Sequence, residues 1–205
     1  MTITATTPAI PDALDGQFMT PEAYLEMERR GIREFHGKYE LFNQTLRFMA
    51  GATTSHNDIS AHITALFQWF IWQSDLKAHI AQSDMKVVSF LTYKNYFYSD
   101  NVFTMAERVY HDIKKDVLVN PTIIVEVLSD DTESFDRGDK FQSYRQIESL
   151  QEYILVSQYR RRIEHFYKNN AGLWVVGKVV ESGGLSLKSI DFQLVIDKVY
   201  HDLPF

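Results

Sequence analysis

The sequence has no cysteine and no long apolar run, and each absence excludes a class of protein. Without cysteine, a disulfide framework and a thiolate metal site are excluded, which fits a reducing compartment. No apolar segment approaches the roughly 18 residues that a membrane helix requires. The N-terminus also lacks a basic region followed by an apolar run, which is the pattern of a secretory signal. We therefore expect a cytoplasmic protein with no membrane span.

The composition is that of a folded domain with an acidic balance. Hydrophobic residues make up 45% of the 205 positions and aromatic residues 14%, which supports a packed core. A chain of this length fits one domain that buries roughly 70% of its unfolded surface. The net charge of −6 argues against a protein that coats nucleic acid, although it permits local binding.

Local patterns predict one α/β domain behind an N-terminal tail. Residues 1–19 are rich in Thr, Ala and Pro and have no periodicity, so we expect a mobile tail, and residues 20–205 are expected to form a single domain. A helix should begin at Thr20-Pro21 and end near Arg30. A strand pair should follow, with its turn at Asn43-Gln44.

The rest of the chain alternates between helical and extended patterns. Ser55 is expected to cap the longest helix, which apolar spacing continues to about residue 74. Further predicted elements are strands at 84–91, 96–104 and 122–128, a helix at about 136–148, and strands at 152–158, 162–168, 173–180 and 190–196. This order predicts a mixed sheet with helices packed on it.

One charged residue interrupts the most apolar strand. Glu126 lies within the run Ile123–Leu128, and ionising it inside a core would cost several kcal/mol unless it had a partner. A polar loop then leads into a helix with Asp136 and Lys140 one turn apart. A buried-strand carboxylate followed by a lysine on the next element indicates phosphate chemistry.

Four segments in this order resemble the Uma family of restriction-endonuclease-like proteins, a branch of the PD-(D/E)xK phosphodiesterase superfamily. The resemblance covers about Thr20 to Tyr167. The segments are Tyr39-Glu40-Leu41, Ser99-Asp100, Val125-Glu126-Val127-Leu128-Ser129 and Asp136…Lys140…Tyr144. The stretch from 123 to 153 is its most specific part.

The resemblance implies a restriction-endonuclease-like core, in which a central mixed β-sheet is flanked by α-helices. It implies an endonuclease dependent on Mg²⁺ (or Mn²⁺) that hydrolyses phosphodiester bonds in DNA. The implied catalytic residues are Asp100, Glu126 and Lys140, and the implied metal ligands are Asp100, Glu126 and Glu40. Leu128 stands where the motif's lysine would fall, and Lys140 matches a lysine that has moved to the neighbouring helix.

Each site residue also has a plainer interpretation. His56 matches a family histidine that could hold a water or a phosphate, but a capping or packing role is equally open. For Asp136 a helix N-cap is favoured, with orientation of Lys140 as its second role. Asp100 could simply close a strand, and Lys140 could be a solvated lysine paired with Asp136.

The chain departs from the family pattern in three places. Ser99 replaces the usual proline, Asn43-Gln44-Thr45 replaces Asp-Gly-Glu, and Ser129-Asp130-Asp131-Thr132 adds an acidic residue. The alternative function is therefore a catalytically inactive nuclease-fold protein that serves as a nucleic-acid-binding or assembly module. A third hypothesis is a metal site that acts on small phosphoesters. Related folds often dimerise, so a homodimer is a further expectation.

Overall fold

The computed structural model describes residues 14–30, 37–82 and 84–205. Its helices are α1 (Pro21–Arg30), α2 (Thr54–Gln73), α3 (Glu133–Phe135), α4 (Phe141–Tyr144) and α5 (Ile196–Val199), and Asp136–Lys140 form a π-helical turn between α3 and α4. Its strands are β1 (Lys38–Phe42), β2 (Thr45–Met49), β3 (Ala78–Gln82), β4 (Lys86–Phe90), β5 (Lys94–Tyr98), β6 (Asn101–Met105), β7 (Val117–Leu118), β8 (Ile123–Leu128), β9 (Glu152–Ser157), β10 (Ile163–Lys168), β11 (Trp174–Val180), β12 (Gly184–Ser186) and β13 (Gln193–Val195).

Two larger sheets and one small hairpin make up the β-structure of the described residues. The five-stranded sheet has the order β2-β1-β5-β4-β7, and the six-stranded sheet has the order β11-β10-β9-β8-β6-β3. Both sheets are mixed, because β4 pairs with β7 and β8 pairs with β9 in parallel, whereas the other pairs are antiparallel. The mixed α/β fold class that the sequence predicts is confirmed.

The core is built on β8 and β9, which are almost wholly buried. Both faces of β8 are covered, so its apolar residues alternate between two clusters. Ile123, Val125 and Val127 pack with residues of α2 and α5, including Ile63. The other face packs with residues such as Tyr144 of α4. Burial of a strand on both faces explains its nearly continuous apolar sequence.

The β1–β2 hairpin turns at Asn43-Gln44, as predicted. Both residues have positive φ angles, 48° and 60°, which suit a tight hairpin turn. The side-chain Oδ1 of Asn95 on β5 accepts a hydrogen bond from the Asn43 N–H at 2.8 Å. The hairpin is thereby fixed to the neighbouring strand in spite of its unusual turn sequence.

The predicted N-terminal tail lies mostly outside the described residues. Residues 14–19 are described and run beside β2. The N–H of Gly16 donates to Leu46 O at 2.9 Å, and the N–H of Leu46 donates to Gln17 O at 2.9 Å. The part of the tail that can be seen is therefore hydrogen-bonded to the hairpin, and mobility of residues 1–13 stays a prediction.

The strand predicted over 96–104 is wrong, because two strands share that stretch. β5 ends at Tyr98 in the five-stranded sheet, and β6 begins at Asn101 in the six-stranded sheet. Residues 96–99 and 101–104 are all buried, so apolar periodicity gives no sign of the boundary. The break at Ser99-Asp100 places Asp100 where the two sheets meet.

Two helix predictions and one strand prediction are also corrected. Thr53, not Ser55, caps α2, because its Oγ1 accepts the His56 N–H at 3.1 Å. The helix predicted over 136–148 begins at Glu133 and ends at Tyr144, with the π-helical turn inside it. The strand predicted over 190–196 is shorter in the structure, because β13 ends at Val195 and α5 begins at Ile196.

None of the helices within residues 14–30, 37–82 and 84–205 could span a membrane.

Candidate active site

Lys140 lies at the centre of a buried cluster of acidic residues. Its Nζ atom is 3.0 Å from Glu40 Oε1, 3.1 Å from Glu126 Oε1 and 3.4 Å from Asp136 Oδ1. It also donates to the backbone oxygen of Tyr98 at 3.1 Å. Lys140 is therefore held by one hydrogen bond and by ion pairs with three carboxylates, and its ammonium group is enclosed by four protein oxygens.

The π-helical turn explains why both Asp136 and Lys140 face inward. A π-helical turn inserts an extra residue and is frequent at functional sites. Here it buries Asp136 and Lys140 while Gly138 and Asp139 are exposed. Asp136 therefore lies within a continuous helical segment, makes no side-chain cap hydrogen bond and pairs with Lys140. The favoured N-cap interpretation of Asp136 is wrong, and its second role, orientation of Lys140, matches the geometry.

Glu126 contacts Lys140 from the middle of β8. Its Oε1 also accepts a hydrogen bond from the Tyr144 hydroxyl at 3.2 Å. Its Oε2 accepts the backbone N–H of Asp100 at 3.3 Å. The carboxylate thus has a partner on each oxygen, which is the condition for tolerating its burial.

Asp100 approaches Glu126 from the adjacent strand. β6 pairs with β8 beside the site, with Asn101 opposite Val125. Asp100 Oδ2 accepts the Val127 N–H at 2.7 Å, and Asp100 Oδ1 lies 2.8 Å from His56 Nε2. The side chains of Asp100 and His56 are 23% and 15% exposed, whereas that of Glu126 is 3% exposed. The Asp100–His56 pair therefore forms the open side of the cluster.

Glu40 joins the cluster from β1. Its Oε1 accepts the Tyr98 N–H at 2.9 Å in addition to contacting Lys140. The structure therefore brings together all the site residues that the sequence predicts, which are Asp100, Glu126, Lys140, Glu40, His56 and Asp136. They come from β1, the β5–β6 junction, β8, the π-helical turn and α2.

Burial and charge shift the pKa values of the cluster. Burial raises the pKa of Glu126 well above its ordinary value and also raises that of Glu40, although the Lys140 ammonium opposes both changes. Burial lowers the pKa of Lys140, but the neighbouring Glu126 and Glu40 outweigh it and leave that pKa well above the ordinary value. Lys140 is therefore a permanent cation facing an excess of buried carboxyl groups.

The His56 pKa is set by its carboxylate partner. Burial lowers the pKa of His56, but the hydrogen bond and the negative charge of Asp100 raise it by more, so the net shift is upward. The sequence left open a role in holding a water or a phosphate and a capping or packing role, and it did not predict the pairing of His56 with Asp100. Its backbone N–H also takes part in the cap at Thr53.

The residues fit a hydrated divalent cation better than a cation enclosed by protein ligands. Across the described residues, no three or more His, Asp or Glu side chains are arranged to hold a metal ion. Mg²⁺, however, usually takes one or two carboxylates and keeps several waters. Asp100, on the open side, and the buried Glu126, whose Oε2 accepts the Asp100 N–H, are the two carboxylates that could hold such an ion. The ligand role predicted for Glu40 gains no support, since its Oε1 contacts Lys140 and the Tyr98 amide.

Gln158 supports the site, although it is not among the site residues predicted from the sequence. Its Nε2 donates to Leu128 O at 3.0 Å, and its Oε1 accepts from the Thr53 hydroxyl. It therefore links the end of β8, which carries Glu126, to the cap of the helix that carries His56. A buried amide directly after an apolar strand is the signal that could have identified it.

Comparison with solved structures identifies the class of fold. A crystal structure described as a putative nuclease belonging to DUF820 from Anabaena variabilis is similar to this chain, with a TM-score of 0.68 at 12% identity. The similarity covers 89% of this chain and 97% of that one. Together with the central mixed sheet and its flanking helices, this similarity defines a restriction-endonuclease-like fold.

The family follows from the sequence. The Uma2 family, described as "Putative restriction endonuclease", matches residues 21–195. Uncharacterized protein slr1290 from Synechocystis sp. is 35% identical over 188 residues, covering 91% of this chain and 94% of its own length. Uncharacterized protein sll1609 from the same organism is 29% identical over 171 residues, covering 80% of this chain and 89% of its own length. The chain belongs to the Uma2 family, which confirms the resemblance seen in its motifs.

Proposed function

We propose that this protein is a divalent-metal-dependent nuclease that hydrolyses phosphodiester bonds in DNA. The observation that carries the proposal is the meeting of Asp100 and Glu126 from adjacent strands, with Lys140 held 3.1 Å from Glu126 Oε1. The family and fold, which are those of restriction-endonuclease-like proteins, support it.

The charge balance of the cluster favours a divalent cation. Three carboxylates, those of Glu40, Glu126 and Asp136, surround a single ammonium group, and Asp100 lies beside them. Such an excess of buried negative charge is costly unless further positive charge compensates it. Mg²⁺ or Mn²⁺ bound by Asp100 and Glu126 would supply that charge, lower the pKa of a bound water and neutralise the phosphate.

The residues of the chain have separate tasks in this proposal. Lys140 fixes and orients Glu126 through their buried ion pair, and its own ammonium group is held by the backbone oxygen of Tyr98. Tyr144 restrains the same carboxylate oxygen. His56 holds Asp100 on the open side and can exchange a proton there, as histidine does in general acid–base catalysis. A direct contact between Lys140 and the scissile phosphate stays a prediction.

The test is cleavage of labelled single- and double-stranded DNA and RNA by the purified protein with Mg²⁺ or Mn²⁺. We expect cleavage of DNA that EDTA abolishes. Glu126→Gln and Asp100→Asn should each reduce the rate by at least about 100-fold, consistent with loss of transition-state charge stabilisation. The control is Asp139→Asn, an exposed aspartate of the same π-helical turn, which should cleave like the wild type.

One observation favours a second candidate, a nuclease-fold protein that binds nucleic acid without cutting it. Lys140 is 4% exposed, and its Nζ atom is enclosed by protein groups, which is also the arrangement of a purely structural ion cluster. Salt-dependent DNA binding without turnover under any metal condition would establish this alternative. The expected homodimer and the cytoplasmic location stay predictions, and analytical sedimentation would test the first.

A further inference from the structure

Arg47 on β2 is a cation close to the site that has no acidic partner among residues 14–30, 37–82 and 84–205. Throughout the described part of the chain, no carboxylate lies within 4 Å of its guanidinium nitrogens, and its side chain is half-buried. Other arginines of the protein, such as Arg29 and Arg137, are each bound to two carboxylates. Arg47 is thus a guanidinium group whose charge is available for a ligand.

The strand register places Arg47 beside the acidic cluster. In the β1–β2 pair, Arg47 is directly opposite Glu40, and directly opposed residues of an antiparallel pair lie on the same face. Glu40 reaches Lys140 from that face. β2 is separated from β5 by β1 alone, so Arg47 lies about two strand spacings, roughly 10 Å, from the strand that leads to Asp100.

An aromatic ring holds the guanidinium group in place. The Arg47 Cζ atom lies 3.8 Å from the centre of the Phe135 ring. Phe135 directly precedes Asp136 and packs against Phe42 and Phe97, so the ring is itself fixed. A guanidinium stacked on a ring keeps its N–H groups free at its edges, and this planar fork matches the oxygens of a phosphate.

We infer that Arg47 binds a backbone phosphate of the polynucleotide on the side of the site formed by β2. The phosphate would flank the scissile one, because the distance from β2 to the Asp100 junction exceeds the reach of one side chain. Lys140 is not placed to make this contact, because its side chain is only 4% exposed and its Nζ atom is enclosed by four protein oxygens. The inference rests on the proposed nuclease function and assigns a binding residue to it.

Binding in EDTA tests the inference without turnover. Fluorescence anisotropy of a labelled 20-base-pair DNA and its single strand, titrated at several salt concentrations, gives both the affinity and its salt slope. Arg47→Ala should weaken binding about 10-fold, and the slope of log K against log salt should fall by about one, because one phosphate contact is lost. Arg47→Lys should keep the salt slope of the wild type, and its affinity should lie between those of the wild type and Arg47→Ala.

A matched control separates this contact from the general effect of charge. Arg145 is exposed and stacks on Phe141 at 5.4 Å, while Phe141 packs against Trp174 of β11 in the other sheet. Arg145→Ala removes the same charge and the same type of stacking, and should bind like the wild type. Thermal unfolding of the Arg47 variants should match that of the wild type, because the side chain is only half-buried and has no ion pair to lose among the described residues.

A chemically altered substrate gives the sharpest result. A single uncharged methylphosphonate replaces one phosphate at a time along the DNA backbone. At one flanking position this replacement should weaken binding by the wild type and leave binding by Arg47→Ala unchanged. If Arg47→Ala binds with wild-type affinity and salt slope while the wild type cleaves DNA, the Arg47 assignment is overturned and the nuclease proposal survives. If the wild type neither binds nor cuts any polynucleotide, both are overturned.

Discussion

The Nζ atom of Lys140 lies 3.1 Å from Glu126 Oε1, although 14 residues separate the two in sequence. Both side chains are almost completely buried, at 4% and 3% exposure. A buried pair of this kind is weak evidence for stability by itself, because desolvation can exceed the Coulombic gain. Its position at the centre of several further carboxylates is better explained by function, and this has measurable consequences.

Replacing Lys140 with methionine should strongly destabilise the protein. The change leaves the carboxylates of Glu40, Glu126 and Asp136 without their common cation. We expect a loss of about 3–5 kcal/mol in the free energy of unfolding, the usual result of removing one partner from a buried ion pair. Urea denaturation measures it, with Lys178→Met, an exposed lysine of β11, as the control. A loss below about 1 kcal/mol would show that the cluster is not held by the lysine.

Replacing Glu126 with glutamine should abolish cleavage and yet raise stability. The substitution keeps an oxygen that can accept from Tyr144 and removes one of the excess negative charges around Lys140. We expect the free energy of unfolding at neutral pH in EDTA to rise by about 1–2 kcal/mol, the range typical of relieving strain in a functional site. Differential scanning calorimetry of the two proteins measures this change in stability. A destabilised Glu126→Gln variant would mean that the carboxylate has a mainly structural role.

A second buried acid, Glu152, should control stability at low pH. Burial raises its pKa, but hydrogen bonds from His165, from the Ser189 side chain and from the backbone N–H groups of Lys188 and Ser189 lower it by more, so the pKa lies below its ordinary value. A depressed pKa contributes stability that is present above the unfolded value and is lost as the pH falls through the folded value.

The glutamine variant at this position provides the measurement. The difference in unfolding free energy between the wild type and Glu152→Gln should be about 1–3 kcal/mol at pH 7 and should shrink steadily below about pH 4.5. Urea titrations from pH 3 to pH 7 give this difference directly. A difference that stays constant over that range would contradict the assigned shift.

Gln158 should affect catalysis only by holding β8 in position relative to α2. Gln158→Leu leaves Leu128 O and the Thr53 hydroxyl without the partner that joins β8 to α2. We expect a loss of about 1–3 kcal/mol in stability, because buried polar groups become unsatisfied. The rate of DNA cleavage should fall while KM stays close to that of the wild type. Gln146→Leu, an exposed glutamine, is the control and should change neither quantity.

Local sequence signals predicted much of the fold. The turn at Asn43-Gln44 was found because the two residues separate two short apolar strands, and Glu126 was identified because a charge inside an apolar run is unusual. The break at Ser99-Asp100 was missed, since buried residues continue on both sides of it. Two sheets meet there, and a change of sheet leaves no periodic signal in the chain.

Contacts between distant segments could not be predicted from the residues alone. The N-cap expected for Asp136 followed from its place at the start of an apolar pattern, yet helix α3 begins earlier and the π-helical turn directs Asp136 inward. The pairing of Arg47 with the Phe135 ring depends on the β1–β2 register together with the position of α3. Neither feature is encoded by a motif, and the second joins segments about 90 residues apart in the sequence.

The most direct test of the central claim is the position of Mn²⁺ in crystals soaked in millimolar manganese. Anomalous scattering locates the ion independently of any activity. We predict one Mn²⁺ bound by the carboxylates of both Asp100 and Glu126 on the open side of the cluster, absent from crystals of the Asp100→Asn variant. An ion bound elsewhere, or no ion at these two carboxylates, would contradict the proposal of a metal-dependent nuclease.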